Sequence, residues 1–167
     1  MLVSRIRRNG LTMNSPDLID QQASRRHWDQ HLDPQNLRKD VQKRDYQAEW
    51  DFYFSDEARF ALKHFPPLNG AHCLELGAGL GTFALYLATR GATVIATDFS
   101  FERLRALNDS ARELGVQDRI RCVQCAAEHL PVKSEQCDVA YSKSVLIHTR
   151  LPEALAEVRR VLAPDGR

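Results

Sequence analysis

The run Leu74-Glu-Leu-Gly77-Ala-Gly79-Leu-Gly81-Thr-Phe83 decides how the rest of the chain is read. It is preceded by His72–Leu76, a short apolar stretch that reads as a strand, and it opens a helical pattern from Leu80 to Arg90 that Gly91 closes. Glycine at three alternating positions between a strand and a helix permits positive φ and lets a ligand approach the backbone with no Cβ in the way. The amides of the following helix then face that ligand. Counted from Gly77, a dinucleotide fingerprint would place its third small residue at Thr82, whereas the glycine falls one position early at Gly81.

The same alternation continues downstream. Thr93–Thr97 reads as a second strand, and Ser100 caps a helix from Phe101 to about Leu114 that Gly115 ends. Ile120–Gln124 is a third strand and Cys137–Tyr141 a fourth. Pro152 stands in the first turn of a last helix, which runs to about Leu162 and stops at Pro164-Asp-Gly166. Strands alternating with helices predict a parallel sheet covered on both faces, with ligands beyond the carboxyl ends of the strands. The loops after Leu76, Thr97, Gln124 and Tyr141 are therefore where chemistry is sought. Asp98, at the tip of the second strand, can accept both hydrogens of a ribose diol, and Phe99 can lie against a purine. The bland alternative is a tight turn beside a helix-capping carboxylate. Together, on these elements and in this order, the two signals favour nucleoside binding.

Three regions are expected: 1–45, 46–69 and 70–167. The first is polar and lacks a periodic apolar face, so it reads as disordered or loosely helical. Its Arg25, Arg26, Arg38, Lys39, Lys43 and Arg44 are interspersed with Asp29, Asp33, Asp40 and Asp45, which reads as a solvated face. The second is rich in aromatics. Tyr46, Trp50 and Tyr53 share one helical spacing, and Ala58, Ala61, Leu62 and Phe65 another. Two helices broken near Phe54-Ser-Asp follow, with Ser55 as N-cap of the second and Pro66-Pro67 as the exit. The aromatic trio reads as the apolar face of a docked helix, with a lid as the alternative.

A formal net charge of +1 argues against nucleic acid as the main partner. No stretch has the length of a membrane span. The basic start Met1–Arg8 lacks the apolar core of a secretory signal, leaves an organellar presequence open, and is also consistent with a natural start at Met13. Cys73, Cys122, Cys125 and Cys137 read as small apolar residues of a reducing, cytoplasmic setting. Cys122-Val-Gln-Cys125 has half of a zinc spacing and no matching second pair, so no metal is expected.

At this point the sequence resembles the class I S-adenosylmethionine-dependent methyltransferases. Glu75-Leu-Gly77-Ala78-Gly79-Leu-Gly81 is similar to their first motif and Asp98 to the acidic end of their second strand. Ala126-Ala127-Glu128-His-Leu-Pro131 resembles the segment after their third strand. Cys137-Asp-Val-Ala-Tyr-Ser142 resembles the fourth strand, and Leu155–Gly166 the helix and turn before the fifth. The resemblance covers about 70–167. It implies a Rossmann-like three-layer sandwich with about four of the usual seven parallel strands, preceded by N-terminal helices, and S-adenosyl-L-methionine as cofactor. It also implies roles. Gly77, Ala78, Gly79 and Gly81 would pass the methionine and ribose portions. Glu75 would position the loop or the methionine ammonium. Asp98 would hold the ribose and Phe99 would flank adenine. Ala127 and Glu128 would lie at the adenine edge, and Ser142 beside the methionine. Ala126 departs from the acidic or amide residue common there. Small-molecule methyl transfer follows, with a non-catalytic, truncated cofactor-binding module as the alternative. His148, after the fourth strand, is the candidate base, its bland reading being a loop residue between Ile147 and Leu151. Lys143 is read as a solvated lysine, with attraction of an acidic substrate as the alternative. Because the chain ends at Arg167, a fragment is the expectation, with the fourth strand an unpaired edge open to self-association.

Overall fold

The computed structural model describes residues 44–53 and 56–167. The expectations for residues 1–43 and for the cap at Ser55 lie outside the described residues. Two helices, α1 (Tyr46–Tyr53) and α2 (Asp56–Leu62), precede β1 (His72–Leu76), α3 (Thr82–Thr89), β2 (Thr93–Asp98), α4 (Phe101–Glu113), β3 (Ile120–Gln124), β4 (Val139–Ser142) and α5 (Leu151–Val161). The strands form one sheet in the order β3-β2-β1-β4. All three pairings are parallel, with Leu74 opposite Ile95 and Ala140, and Ile95 opposite Arg121.

Strand order reverses at β1, which lies between β2 and β4. The crevice beyond the carboxyl ends of a parallel sheet opens at such a point. The core divides into two clusters. One holds Cys73, Val94, Ala96 and Val139 with Phe83, Leu87, Leu104 and Leu107. The other holds Leu74 and Leu76 with Leu130, Cys137, Ala154 and Val161. Alternate residues of β1 thus enter different clusters, as a strand buried on both faces requires.

Boundaries moved by one or two residues for local reasons. α3 begins at Thr82 rather than Leu80, because Gly77, Gly79 and Gly81 all have positive φ and Gly81 takes the N-cap position at φ 78°. The fourth strand begins at Val139 rather than Cys137. Cys137 instead forms an isolated bridge with Leu162. Ser100 caps α4, accepting a hydrogen bond from Arg103 N at 3.3 Å. Short 3-10 turns at Gln117–Arg119 and Leu146–His148 were not foreseen.

The outer edge of β4 differs from the bare edge expected. Arg167 N donates to Asp138 O at 3.1 Å, and Ala140 N donates to Arg167 O at 2.7 Å. Arg167 thereby sits opposite Val139 as a parallel neighbour, satisfying the start of that edge.

The aromatic helix is docked on α3 and does not arch over the crevice. Trp50 is 8% exposed, its Nε1 donates to Thr82 O at 3.0 Å, and its ring meets Tyr86 edge-on at 5.7 Å. Tyr46 lies 6.2 Å from Trp50, ring to ring; the side chain of Tyr53 lies outside the described residues. Phe65 meets Phe83 and Tyr141, so the approach to β1 is anchored in the first cluster.

Arg44 corrects the reading of its segment as a solvated face. Its side chain is 5% exposed. It donates to Leu80 O at 2.8 Å and to Ser110 Oγ at 3.2 Å, and it pairs with Glu49 through Nε and Nη2. A guanidinium can be buried when its forked donors all find acceptors, as they do here.

Candidate functional site

The glycine bend is held from two sides. Ala78 N donates to Thr97 O at 2.8 Å, which ties the bend to β2, and Gly81 N closes a turn onto Ala78 O at 2.8 Å. Asp98 supplies the side-chain bond. Its Oδ2 accepts from Gly79 N at 2.8 Å, and its Oδ1 accepts from Ser100 N at 2.8 Å. The carboxylate therefore lies against the bend and also caps the approach to α4. Each oxygen has a second lone pair left for a ligand.

The three glycines are required for different reasons. A Cβ on Gly81 would lie 2.0 Å from Leu107 Cδ1, and one on Gly77 would lie 2.1 Å from Val145 Cγ2. At Gly79 the nearest atom would be Arg103 Nη1, at 3.6 Å. Gly81 admits the packing of α4, Gly77 admits Val145 from the loop after β4, and Gly79 presents its amide to Asp98.

A cleft of about 190 Å³ opens beside the bend. Among the residues expected at the site, Gly77, Asp98, Phe99, Ala127 and His148 line it. Thr97, Arg103, Cys125, Lys143, Ser144, Val145 and Thr149 complete the wall. Arg103 lies one helical turn past the Ser100 cap, so the first turn of α4 is the signal that points to it. Val145 and Thr149 come from an irregular segment whose path no periodicity announces. Lys143 is exposed and on the cleft wall. His148 is exposed there too, and Ile147 beside it is 79% exposed.

Glu75 and Ser142 are not among the residues lining the cleft. Glu75 is 5% exposed, and its Oε2 has no hydrogen-bond partner among the described residues. Burial pushes its carboxyl up to about 8, against the opposing pull of the Ala84 N–H. Ser142, opposite Leu76 on β1, likewise has a buried Oγ without a partner among the described residues. Two unsatisfied polar atoms at neighbouring strand ends are costly unless a ligand meets them.

A pH experiment follows for Glu75. A carboxyl whose pKa is raised by folding stabilises the fold fully below its ordinary value near 4.5, and that stability is lost as pH rises through about 8. Glu75→Gln removes the titration while keeping an acceptor for Ala84 N. Its melting temperature relative to the parent should therefore rise steadily between pH 5 and pH 8.5. A difference that does not change with pH would contradict the buried placement.

The segment after β3 is fixed by α5. Glu128 is buried and its Oε1 accepts from Arg150 N at 2.8 Å, at the start of that helix. A carboxylate there meets the positive end of the helix dipole. Its Oε2 is buried with no hydrogen-bond partner among the described residues. Ala126 is half-buried, its carbonyl accepting from His129 N at 3.1 Å. Arg160 donates to Leu130 O and Val132 O, and Glu157 accepts from Leu130 N. The Arg160 guanidinium holds the Glu157 carboxyl down to about 2. Among the described residues, no three or more His, Cys, Asp or Glu gather as a metal site.

A parallel sheet with a glycine bend and an acidic strand tip at its reversal point defines an α/β protein with a nucleoside-type crevice. The methyltransferase domain family matches residues 74–167, and the chain belongs to it. A ubiquinone/menaquinone biosynthesis C-methyltransferase of Paracoccus denitrificans is 38% identical over 106 residues, covering 60% of this chain and 42% of that protein. A malonyl-[acyl-carrier protein] O-methyltransferase of Geobacter sulfurreducens is 33% identical over 127 residues, covering 71% and 46%. The solved structure of geranyl diphosphate methyltransferase with GPP and sinefungin superposes with a TM-score of 0.62 at 25% identity, over 66% of this chain and 41% of that one. The chain spans less than half the length of each of these relatives. Among the described residues, no helix is long and apolar enough to cross a membrane.

Proposed function

We propose that the cleft binds S-adenosyl-L-methionine and that the protein transfers its methyl group to a small organic acceptor. The observation that carries this is the Asp98 carboxylate, 2.8 Å from Gly79 N at the edge of an open glycine bend. Asp98 accepts from the ribose hydroxyls with its remaining lone pairs. Phe99 and Ala127 flank the adenine. Ala126 has no polar side-chain atom, so backbone groups or the Oε2 of Glu128, unpartnered among the described residues, meet the adenine amino group.

Glu75 positions the loop or the methionine ammonium and Ser142 lies beside the methionine, a reading supported by the buried Glu75 Oε2 and Ser142 Oγ, which have no partner among the described residues. Gly77 and Gly79 let that portion lie on the backbone. When bound, the cofactor supplies a sulfonium methyl open to in-line attack. The chain's own residues align the reactants and exclude water. His148 and Lys143 stand on the wall of the cleft, where His148 takes a proton from an acceptor that arrives protonated.

Relatives named for quinone and malonyl substrates support an organic acceptor, and Ile147 and Leu151, exposed beside His148, suit its apolar part. The free thiols of all four cysteines support a reducing, cytoplasmic setting. Calorimetric titration with S-adenosylmethionine tests the reading, with NADH as competitor. Saturable heat that NADH does not displace is expected. Absence of heat from folded protein would overturn it.

A further inference from the structure

The start of α3 lacks the side-chain cap that helices of its kind use. Gly81 occupies the N-cap position and has no side chain to accept from the first amides. Ala84 N is met by Glu75 from inside. From outside, the bend and the first helical residue are met by a segment that precedes the matched family domain. Arg44 Nη1 donates to Leu80 O, the carbonyl between Gly79 and Gly81, at 2.8 Å. Arg44 Nη2 donates to Thr82 Oγ1 at 3.1 Å, and Thr82 Oγ1 donates to Glu49 Oε2 at 3.2 Å. Glu49 also grips Arg44 through Nε at 2.8 Å and through Nη2. Ser110 on α4 accepts from Nη1 at 3.2 Å, and Trp50 Nε1 reaches Thr82 O.

One buried guanidinium therefore connects α1, the glycine bend, α3 and α4. The surroundings fit this use. The Tyr46 ring lies under the guanidinium at 5.1 Å, and the Glu49 carboxyl is held below its ordinary range by the Arg44 hydrogen bond. A surface ion pair would contribute little. A forked donor nine-tenths buried and aimed at a loop carbonyl fixes geometry, and removing it leaves acceptors without partners.

We propose that Arg44, seated by Glu49, is a positioning residue for the cofactor loop. It holds the Gly79–Gly81 bend in its ligand-ready shape without itself lining the cleft, so the helix before the family domain supports the cofactor site. The effect on affinity rests on the S-adenosylmethionine reading; the effect on the bend does not.

The test compares the full chain with Arg44→Ala, Arg44→Lys and Glu49→Gln. Amide hydrogen exchange is followed at Gly79, Gly81 and Ala84, and S-adenosylmethionine affinity is measured well below each melting temperature. In Arg44→Ala, exchange at these amides should quicken at least about tenfold, and affinity should fall by roughly ten- to a hundredfold. Arg44→Lys keeps the charge against Glu49 without the fork, so it should recover melting temperature more than loop protection. Glu49→Gln should fall between. If Arg44→Ala lowers the melting temperature while loop exchange and affinity stay at parental values, the residue is merely structural and the proposal fails. If the parent binds no S-adenosylmethionine, the functional reading fails, and loop exchange alone decides the role of Arg44. If Arg44→Ala does not fold, the Lys and Gln variants decide by the same exchange ratio.

Discussion

Asp98→Ala is expected to reduce affinity for S-adenosylmethionine by about a hundredfold or more, measured by calorimetry at a temperature where the variant is folded. Hydrogen bonds to a charged acceptor contribute about 1.5–3 kcal/mol each, and a ribose offers two hydroxyls. The carboxylate also satisfies Gly79 N and Ser100 N, so the substitution loosens the bend and the start of α4 together. Asp98→Asn is not a mild replacement. One of its two side-chain positions becomes a donor and faces an N–H that needs an acceptor. Both variants should lose affinity by a larger factor than any single change on the far wall of the cleft. Affinity within about threefold of the parent in Asp98→Ala would remove the central contact of the functional proposal.

Gly81→Ala is expected to give the largest loss of stability among the glycine substitutions. The residue has φ +78°, and the added Cβ would stand 2.0 Å from Leu107 Cδ1 and 2.8 Å from Leu107 Cγ. Leu107 is fully buried, so it cannot swing aside without displacing the core between α3 and α4. The left-handed backbone costs about 1–2 kcal/mol for a residue with a Cβ, and overpacking a full core costs about 1–3 kcal/mol more. A fall in melting temperature of roughly 5–15 °C follows. Gly115→Ala is the control. Its φ is +66°, yet nothing lies within 4 Å of the added carbon, so only the backbone term applies. Equal losses in the two variants, by thermal melting, would show that the contact with Leu107 yields.

How far the sequence carried can be judged from particular residues. The order of β1, α3, β2, α4 and β3 was legible because each boundary has its own chemical mark: glycines at the bend, Ser100 at a cap, Gly91 and Gly115 at helix ends. The place of Asp98 beside the bend was legible because the strand it ends pairs with the strand that the glycines follow. The contact of Glu128 with Arg150 N was not, since the two are 22 positions apart. Arg44 was misread for a related reason. Charged residues in a polar stretch are usually solvated, and its acceptors at Leu80 and Ser110 are distant in sequence. Val145 and Thr149 come from an aperiodic path after β4 that only the folded chain defines.

The position of β4 bears on how the chain assembles in time. His72 and Asp138, which meet at the start of the β1–β4 pairing, are 66 positions apart, whereas Glu75 and Thr97 on the β1–β2 side are 22 apart. Closing the shorter loop costs less entropy, so the β1–α3–β2 unit should condense early and the strand bearing Ser142 should join last. During that interval one side of the central strand waits for its neighbour, and the cleft wall that follows β4 is still unmade while the contact between Asp98 and Gly79 already exists.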